Sequence, residues 1–296
     1  MAAIETKNVR PRPGQSQRSK LITTLLLVIF AIYTFIPFIY IIISSTKNND
    51  DLFGTFGFWF GTQFSFFDNL RDLFTRDGGV YLHWLGNSVL YASISGFGAA
   101  LLATAAGYAF AKFRFVGRDA IFAMILGAVM IPQTALVIPI FLLLALMRLS
   151  NNPIGVILPS MISPIGVYLM RIYIEQGVDN ELIDAARIDG ASEFRIFRSI
   201  VFRLVAPGFV TVLLLSFVST WNNYFLPLIV LRSREYFPLT VGLAAWNQLA
   251  ATAGGGGQAL FPLVITGALI GIVPVIIVFL LLQRFWQGGL SVGAVK

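Results

Sequence analysis

Long apolar stretches separated by short polar segments dominate the pattern of the chain. Six of these stretches are long enough to cross a hydrocarbon core of about 30 Å as helices, because a helix rises about 1.5 Å per residue. They cover residues 21–45, 84–111, 120–146, 154–173, 204–231 and 260–285. The pattern therefore predicts an all-α, polytopic membrane protein with six transmembrane helices.

Prolines and small residues interrupt most of these stretches. A proline kink survives in a bilayer only where neighbouring helices or water satisfy the freed backbone groups, so the kinks indicate packed or pathway-lining faces. The prolines concerned are Pro132, Pro139, Pro159, Pro164, Pro227 and Pro274. The second stretch also carries small residues, among them Gly96, Ala103 and Gly107, which allow close helix contact in lipid.

One polar and basic interruption, residues 182–207, stands out from this apolar pattern. Asp179 and Asn180 are placed to cap a first short helix, which ends where Gly190 can adopt a positive φ and reverse the chain. Ser192 can cap a second helix. Along this second helix four apolar residues recur at helical spacing: Phe194, Phe197, Val201 and Leu204. We call residues 179–204, predicted as two helices joined by a glycine turn, the elbow.

Composition supports a membrane protein and argues against enzymatic chemistry. Hydrophobic residues make up 57% of the 296 residues and charged residues 12%, with a mean hydropathy of +0.80. The chain has no cysteine, and its single histidine, His83, leaves little for a metal site. Neither a paired carboxylate site nor a G-x-x-x-x-G-K-S/T phosphate loop occurs. We therefore expect no enzyme activity, no cofactor, no metal and no nucleic acid partner for this chain.

Positive charge predicts the orientation. With a cytoplasmic N-terminus, 15 of the 21 basic residues fall in inner segments and 6 in outer segments, as the positive-inside rule expects. The elbow and both termini then lie in the cytoplasm. Residues 1–20 are predicted to be a disordered basic cytoplasmic tail, residues 21–286 a transmembrane domain and residues 287–296 a cytoplasmic C-terminal tail.

Two outer segments leave alternatives open. Residues 48–83 carry many aromatic residues, which suit a membrane–water interface, a packed external loop or stacking on a sugar. The glycine run 254–257 falls in an outer loop predicted between Arg232 and Phe261. It serves either as slack near a docking surface or as a plain linker.

The elbow also resembles a known family motif, the EAA loop of ABC-importer permeases. The similar residues, which match in spacing, are Asp184-Ala185-Ala186, Asp189-Gly190-Ala191, Phe197, Ile200 and Pro207. Two departures are visible: Asp184 stands where glutamate is usual, and Phe202-Arg203 where Leu-Pro is common. Further segments, at 107–113, 220–228, 237–242 and 289–296, resemble the second permease subunit of maltose-type importers, which have a MetI-like transmembrane domain.

This resemblance implies a division of labour between chains. The elbow would be a cytoplasmic coupling helix between the fourth and fifth spans that fits a cleft on a separate ATPase dimer, and that dimer would bind ATP and Mg. The coupling residues it implies are Leu182, Asp184, Ala185, Ala186, Asp189, Gly190, Ala191, Phe194 and Phe197. The C-terminal tail, with Ser291, Val292 and Lys296, is either a second contact with the ATPase or a frayed terminus.

The remaining partners also follow from the resemblance. This chain would form half of a pathway for a sugar or oligosaccharide through the bacterial inner membrane, with a second permease forming the other half and an extracellular sugar-binding protein delivering the substrate. Trp221, Asn222, Asn223 and Tyr224 suit a sugar by their polar and aromatic groups, or alternatively cap and pack the fifth span. An ion-coupled secondary carrier and a non-transporting scaffold are the competing classes, although the spans hold almost no ionisable residues of the kind a carrier needs.

Overall fold

The computed structural model describes residues 17–252 and 260–289, with side-chain surroundings for residues 20–252 and 260–285. Every regular element in these residues is helical, so the all-α prediction is confirmed. Residues 1–16 of the predicted N-terminal tail and the glycine run 254–257 lie outside the described residues. So do the tail residues Ser291, Val292 and Lys296.

The helices of the described residues are numbered here in chain order. Their bounds are α1 Gln17–Ser45, α2 Asn49–Gly54, α3 Phe66–Thr75, α4 Val80–Lys112, α5 Arg118–Val129, α6 Gln133–Leu146, α7 Ile154–Ser160, α8 Pro164–Gly177, α9 Asn180–Ile188, α10 Glu193–Leu204, α11 Ala206–Trp221, α12 Phe225–Val230, α13 Leu239–Thr252 and α14 Leu260–Gly289. Short 3₁₀ turns occur at Arg76–Gly78 and Arg234–Tyr236.

Six spans can be counted among these helices. Four stretches are long and apolar enough to cross a bilayer unaided: Lys20–Ser45, Val80–Lys112, Ile154–Gly177 and Leu260–Phe285. Two bent pairs supply two more when each pair counts as one span: α5 with α6, bent by 109°, and α10 with α11, bent by 80°, a pair in which α11 is the apolar helix and α10 belongs to the elbow. The first bend falls at Pro132, which lacks a backbone N–H and disfavours helix in the residue before it. The predicted six-span fold is confirmed, with two of the spans bent.

The two ends of the membrane domain differ from the prediction. α1 begins at Gln17, inside the segment predicted as a disordered tail, and α14 continues to Gly289, beyond the predicted domain end at residue 286. Side chains of α1 are exposed throughout residues 20–40, and this helix packs mainly against α14. An apolar helix with so little cover from its own chain contacts lipid or another membrane helix.

α4 is the central helix, packed against α8 and α11. Its small residues permit the close approach. A Cβ atom on Gly96 would lie 3.1 Å from the Phe217 backbone nitrogen, and one on Gly107 would lie 2.7 Å from the Met170 Cβ. The small-residue face predicted for this span is therefore a surface of helix contact.

The fifth span is shorter than the predicted helix over 204–231. α11 ends at Trp221, residues 222–224 form a turn, and α12 runs only from Phe225 to Val230. The Asn222 side-chain amide bonds the Val218 carbonyl, a local bond that competes with helix continuation. Pro227 fits the first turn of α12, where a backbone N–H has no helical partner.

The predicted outer loop between Arg232 and Phe261 contains a helix, α13. Its Trp246 is buried, with its ring centroid 4.7 Å from that of Trp84. The Trp84 indole in turn donates a hydrogen bond to the Arg234 carbonyl (2.8 Å). With 14 residues α13 is too short to cross a membrane, so a search for membrane-length stretches does not find it.

Candidate coupling site

The elbow consists of two helices joined by a tight glycine turn. α9 ends at Ile188, Gly190 adopts a φ of +78°, and α10 begins at Glu193. The Ala191 backbone N–H donates to the Ala186 carbonyl (2.9 Å) and closes the turn. The reversal predicted at Gly190 is therefore confirmed. Glycine is suited to this position because a residue with a Cβ is strained at this φ.

The two elbow helices begin in different ways. Ser192 caps α10 as predicted, since its Oγ accepts a hydrogen bond from the Arg195 backbone N–H (3.4 Å). The predicted N-cap position of Asp179 is confirmed, but neither Asp179 nor Asn180 caps α9 with its side chain. Asp179 stands at the N-cap without a side-chain capping bond, and the Asn180 Oδ1 instead accepts a hydrogen bond from Lys112 Nζ (2.8 Å). The start of α9 is thus held by α4.

The buried face of α10 is shifted from the predicted stripe. Of the predicted stripe, Val201 is buried and Phe197 half-buried, whereas Phe194 and Leu204 are exposed. Ile196, which is not a member of the stripe, is also buried. The π-helical turn at Phe197–Val201 accounts for Leu204, because it holds more residues than an α-helical turn and rotates those that follow, whereas Phe194 precedes the turn and is exposed independently of it. Helical spacing counted along the sequence cannot anticipate such a turn.

The predicted coupling residues divide into two sets by exposure. Those exposed are Leu182, Asp184, Ala185, Asp189, Gly190 and Phe194, and those half-buried are Ala186, Ala191 and Phe197. Sequence reasoning missed Ile188, which is 87% exposed, while Phe194 is 71% exposed. Two large apolar side chains left open on a charged element are the kind of anchor that protein interfaces use. The sequence does contain one signal for Ile188: it is an apolar residue directly before the turn at Asp189-Gly190.

Arg187 joins the two helices of the elbow. Its Nη1 lies 3.0 Å from Asp184 Oδ1 in α9, and its Nε donates to Glu193 Oε1 in α10 (2.7 Å). Exposed ion pairs stabilise a protein by about 0.2–1 kcal/mol each. The Arg187–Glu193 pair, the one of the two that crosses between the helices, therefore contributes more to the angle between them than to overall stability.

Two polar contacts attach the elbow to the end of α4. The Tyr108 hydroxyl donates to Glu193 Oε2 (3.1 Å), and Lys112 Nζ donates to the Val178 carbonyl just before α9. The Tyr108 ring also lies 5.5 Å from the Phe197 ring, centroid to centroid. These contacts were not predicted, because the hydrogen-bonded pairs are 85 and 66 residues apart in the chain.

A buried apolar cluster lies beneath the elbow. Ile183 of α9 and Ile196 of α10 belong to the same cluster as Met170 of α8 and Phe209 of α11. Close-packed interiors transmit displacement because they contain few voids to absorb it. A movement of the elbow would therefore displace the spans on either side of it.

The four candidate pathway residues lie at the break between α11 and α12. Trp221 is buried and stacks on Phe217, with centroids 5.8 Å apart and planes 19° apart. The Asn223 Oδ1 accepts a bond from the Leu226 N–H (3.4 Å). These contacts correspond to the packing and capping alternative for Trp221 and Asn223. The Asn222 side chain is exposed and Tyr224 is half-buried, so these two have surface available to a ligand.

The observed features define a class of protein: a six-span, all-α membrane protein with an exposed two-helix elbow seated on the ends of its spans. Residues 96–287, more than half of the chain, match the family described as binding-protein-dependent transport system inner membrane component. The chain belongs to that family.

Individual relatives extend the similarity over nearly the whole chain. The arabinooligosaccharides transport system permease protein of Halalkalibacterium halodurans is 35% identical over 94% of this chain and 98% of its own. The melibiose/raffinose/stachyose import permease protein of Bacillus subtilis is 30% identical over 100% of both. One chain in the crystal structure of a bacterial ABC transporter involved in the import of the acidic polysaccharide alginate superposes with a TM-score of 0.78 at 25% identity, covering 93% of this chain and 99% of that chain.

These findings place the chain among the permease subunits of ABC transporters, as a multi-pass inner membrane protein and not an enzyme. ATP hydrolysis in such a transporter resides in a separate chain. Family membership sets aside both competing classes, the ion-coupled secondary carrier and the non-transporting scaffold.

Proposed function

We propose that this chain forms half of the transmembrane pathway of an importer for a sugar or oligosaccharide. The observation that carries this proposal is the similarity, over 94% of the chain, to a permease whose name assigns it to arabinooligosaccharides. A second permease subunit forms the other half of the pathway. An extracellular sugar-binding protein delivers the substrate to the side of the membrane opposite the elbow.

The elbow docks on the ATPase dimer in the cytoplasm, and that dimer carries the ATP and Mg. Two features support this role: the exposed apolar side chains of Ile188 and Phe194, and the predicted inside position of the basic residues around them. Under this topology both termini are cytoplasmic. Ser291, Val292 and Lys296 are then available for a second contact with the ATPase.

The elbow transmits movement of the ATPase to the spans as a rigid lever. Support comes from Arg187, which joins α9 to α10, and from Tyr108 and Lys112, which attach the two helices to α4. The buried cluster under the elbow adds direct packing against α8 and α11. Closure of the ATPase on ATP would thus move the central span together with its neighbours and open the pathway to the opposite side.

The sugar would meet this chain at the break after α11. Asn222 offers hydrogen-bonding groups and Tyr224 offers an aromatic face, which are the two things that sugar hydroxyls and rings require. Trp221 and Asn223 support this position from the protein side through their packing and capping contacts.

Reconstitution of the full transporter tests this function. The chain is co-expressed with the second permease, the ATPase and the binding protein of the same organism that co-purify with it, and uptake of labelled arabinooligosaccharides into proteoliposomes is measured together with ATP hydrolysis. We expect ATP-dependent uptake that Gly190→Val abolishes, with ATP hydrolysis retained, because valine is strained at a φ of +78°.

Gly177→Val is the matched control, because this glycine ends α8 next to the elbow, has a negative φ and leaves open space for a side chain. Uptake that survives Gly190→Val unchanged would contradict the lever. Failure to transport any sugar, with the complex intact, would contradict the substrate class.

A further inference from the structure

Residues 52–67, which we call the aromatic loop, begin within α2 and end at the start of α3. The segment contains eight aromatic residues and no charged residue. Most of its rings point away from the protein: Phe56 is 73% exposed and Trp59 is 70% exposed. So large an apolar surface on a folded chain marks a contact with lipid or with another molecule.

Two buried charged side chains hold the aromatic loop in position. Lys47, which is fully buried, donates hydrogen bonds to Thr55 Oγ1 (2.8 Å) and to the Phe56 carbonyl (2.9 Å). The carboxylate of Asp51 accepts hydrogen bonds from the backbone N–H and the hydroxyl of Thr62 (both 2.9 Å). Hydrogen bonds to charged groups are among the strongest in proteins. These hydrogen bonds therefore fix the backbone of the aromatic loop in a conformation that leaves its rings exposed.

The aromatic loop folds back along the membrane-crossing helices. The Phe58 ring lies 5.4 Å from the Tyr40 ring, and the Phe53 ring lies 5.2 Å from the Phe261 ring, centroid to centroid. Tyr40 precedes the end of α1 at Ser45 by five residues, about 7.5 Å along the helix axis. Phe261 lies in the first turn of α14. The aromatic loop therefore lies beside the C-terminal end of α1 and the N-terminal end of α14, at the same depth in the membrane as these two helix ends.

We propose that the aromatic loop is a membrane anchor, whose exposed rings occupy the boundary between headgroups and acyl chains in the leaflet at the C-terminal end of α1. Aromatic side chains concentrate at this boundary because their rings are apolar while the surroundings remain partly wet. The exposed apolar surface of α1 continues into the loop, so lipid that covers one also reaches the other.

Lipid fits this surface better than a protein partner does. Protein interfaces have a polar rim around their apolar centre, and the aromatic loop has no charged side chain from residue 52 to residue 67. The anchor goes beyond the transport role, because it depends neither on the sugar nor on the ATPase. It holds this end of the permease at a fixed depth while the elbow moves the spans at their other end.

Site-directed spin labelling tests the anchor. Because the chain has no cysteine, a nitroxide attached to Trp59→Cys marks a single position of this chain, and the wild-type chain treated in the same way gives the background from label on the partners. The full chain, with the partners that co-purify, is reconstituted into vesicles of phosphatidylethanolamine and phosphatidylglycerol. Collisions of the label with oxygen, which dissolves in lipid, and with a water-soluble nickel chelate are then compared. We expect the oxygen-to-nickel ratio at position 59 to exceed that at an aqueous position severalfold.

Two control positions set the scale. Asp68→Cys lies in the exposed first turn of α3 just after the loop and reports water, and Phe30→Cys lies on the exposed middle of α1 and reports the hydrocarbon core. A ratio at position 59 equal to that of Asp68→Cys would overturn the anchor in favour of a water-facing loop. A label shielded from both reagents would overturn it in favour of a protein partner.

A second measurement does not require a labelled variant. Lipids brominated near the headgroup quench tryptophan fluorescence at close range, and Trp59→Phe removes only one indole while keeping an aromatic ring. We expect the wild-type protein to lose a larger fraction of its fluorescence to these lipids than Trp59→Phe does. Equal fractional quenching of the two proteins would overturn the anchor.

Discussion

The Tyr108 hydroxyl lies 3.1 Å from the Glu193 Oε2 atom, although 85 residues separate the two in the sequence. Tyr108 belongs to the last part of the central helix α4, and Glu193 opens the second helix of the elbow. The same carboxylate holds Arg187, which extends from the first elbow helix. One glutamate therefore links the central span to both helices of the elbow.

The Tyr108→Phe substitution should weaken coupling without disturbing packing, since it removes only the hydroxyl. A hydrogen bond of this kind contributes about 1 kcal/mol, which corresponds to roughly a fivefold change in an equilibrium. We expect uptake per ATP hydrolysed to fall by up to that factor in proteoliposomes, because part of the elbow's movement no longer reaches α4. Uptake and hydrolysis are measured on the same vesicles.

The control for this experiment is Tyr173→Phe, a tyrosine that packs against the same apolar cluster and whose hydroxyl makes no hydrogen bond within the described residues. Glu193→Gln should lower the ratio further than Tyr108→Phe, because it also disturbs Arg187. In the double variant the two effects should be less than additive, as for residues in contact. An unchanged ratio in Tyr108→Phe, or full additivity, would show that this contact does not transmit the movement.

Gly107 tests whether α4 must approach α8 closely. A Cβ atom there would lie 2.7 Å from the Met170 Cβ and 2.8 Å from the Arg171 backbone nitrogen, and overpacking of this kind destabilises by about 1–3 kcal/mol. We expect Gly107→Ala to lower the Tm of the detergent-solubilised protein. Gly86→Ala, on the same helix but with open space around the new Cβ, should leave the Tm unchanged or raise it. The reverse order would contradict the packing.

The parts of the fold that the sequence predicts are those with a local cause. Membrane-length apolar stretches give the spans, since the bilayer thickness sets their length, and Gly190 gives the turn, since a residue with a Cβ is strained at its φ. What the sequence does not predict depends on neighbours distant in the chain. The burial of Trp246 against Trp84 and the Tyr108–Glu193 contact both arise from tertiary packing.

The candidate site shows the same division. The position of the elbow and its glycine turn follow from local sequence, but the buried face of α10 does so only in part, because the extra residue in the π-helical turn rotates Leu204 outward. Side-chain capping of α9 could not be predicted locally either, since the Asn180 side chain accepts a hydrogen bond from Lys112 of α4 instead. Local rules place an element, and distant contacts decide which of its side chains remain free.

Phe194 tests the docking surface. Because this side chain is 71% exposed, Phe194→Asp should change the free energy of unfolding of the chain by no more than about 0.5 kcal/mol, the range expected for surface substitutions. It should nevertheless reduce recovery of the ATPase in a mild-detergent pull-down severalfold, because it places a charge where an apolar contact forms. Val116→Asp, at a fully exposed position in the loop between α4 and α5, is the matched control. Equal recovery with both variants would argue against docking through Phe194.

Asp51 makes the stability of the aromatic loop depend on pH. Burial works to raise the pKa of its carboxyl, but hydrogen bonds from Thr62 and Gln63, with the nearby charge of Lys47, hold the pKa below its ordinary value of 3.8. The folded protein therefore favours the ionised form more than the unfolded chain does. The resulting stabilisation is complete above the ordinary pKa and is lost as the pH falls through the lower pKa of the folded state.

Asp51→Asn should consequently lower the Tm at about pH 7, and the difference from wild type should narrow as the pH falls below the ordinary pKa of 3.8, because the native carboxylate is then increasingly protonated. Asp68→Asn replaces an exposed carboxylate that makes no hydrogen bond within the described residues, so it should change the Tm little at either pH. Thermal unfolding of the three proteins across this range provides the measurement. A Tm difference between wild type and Asp51→Asn that is equally large at the highest and the lowest pH would show that the shape of the asparagine, and not the missing charge, disturbs the loop.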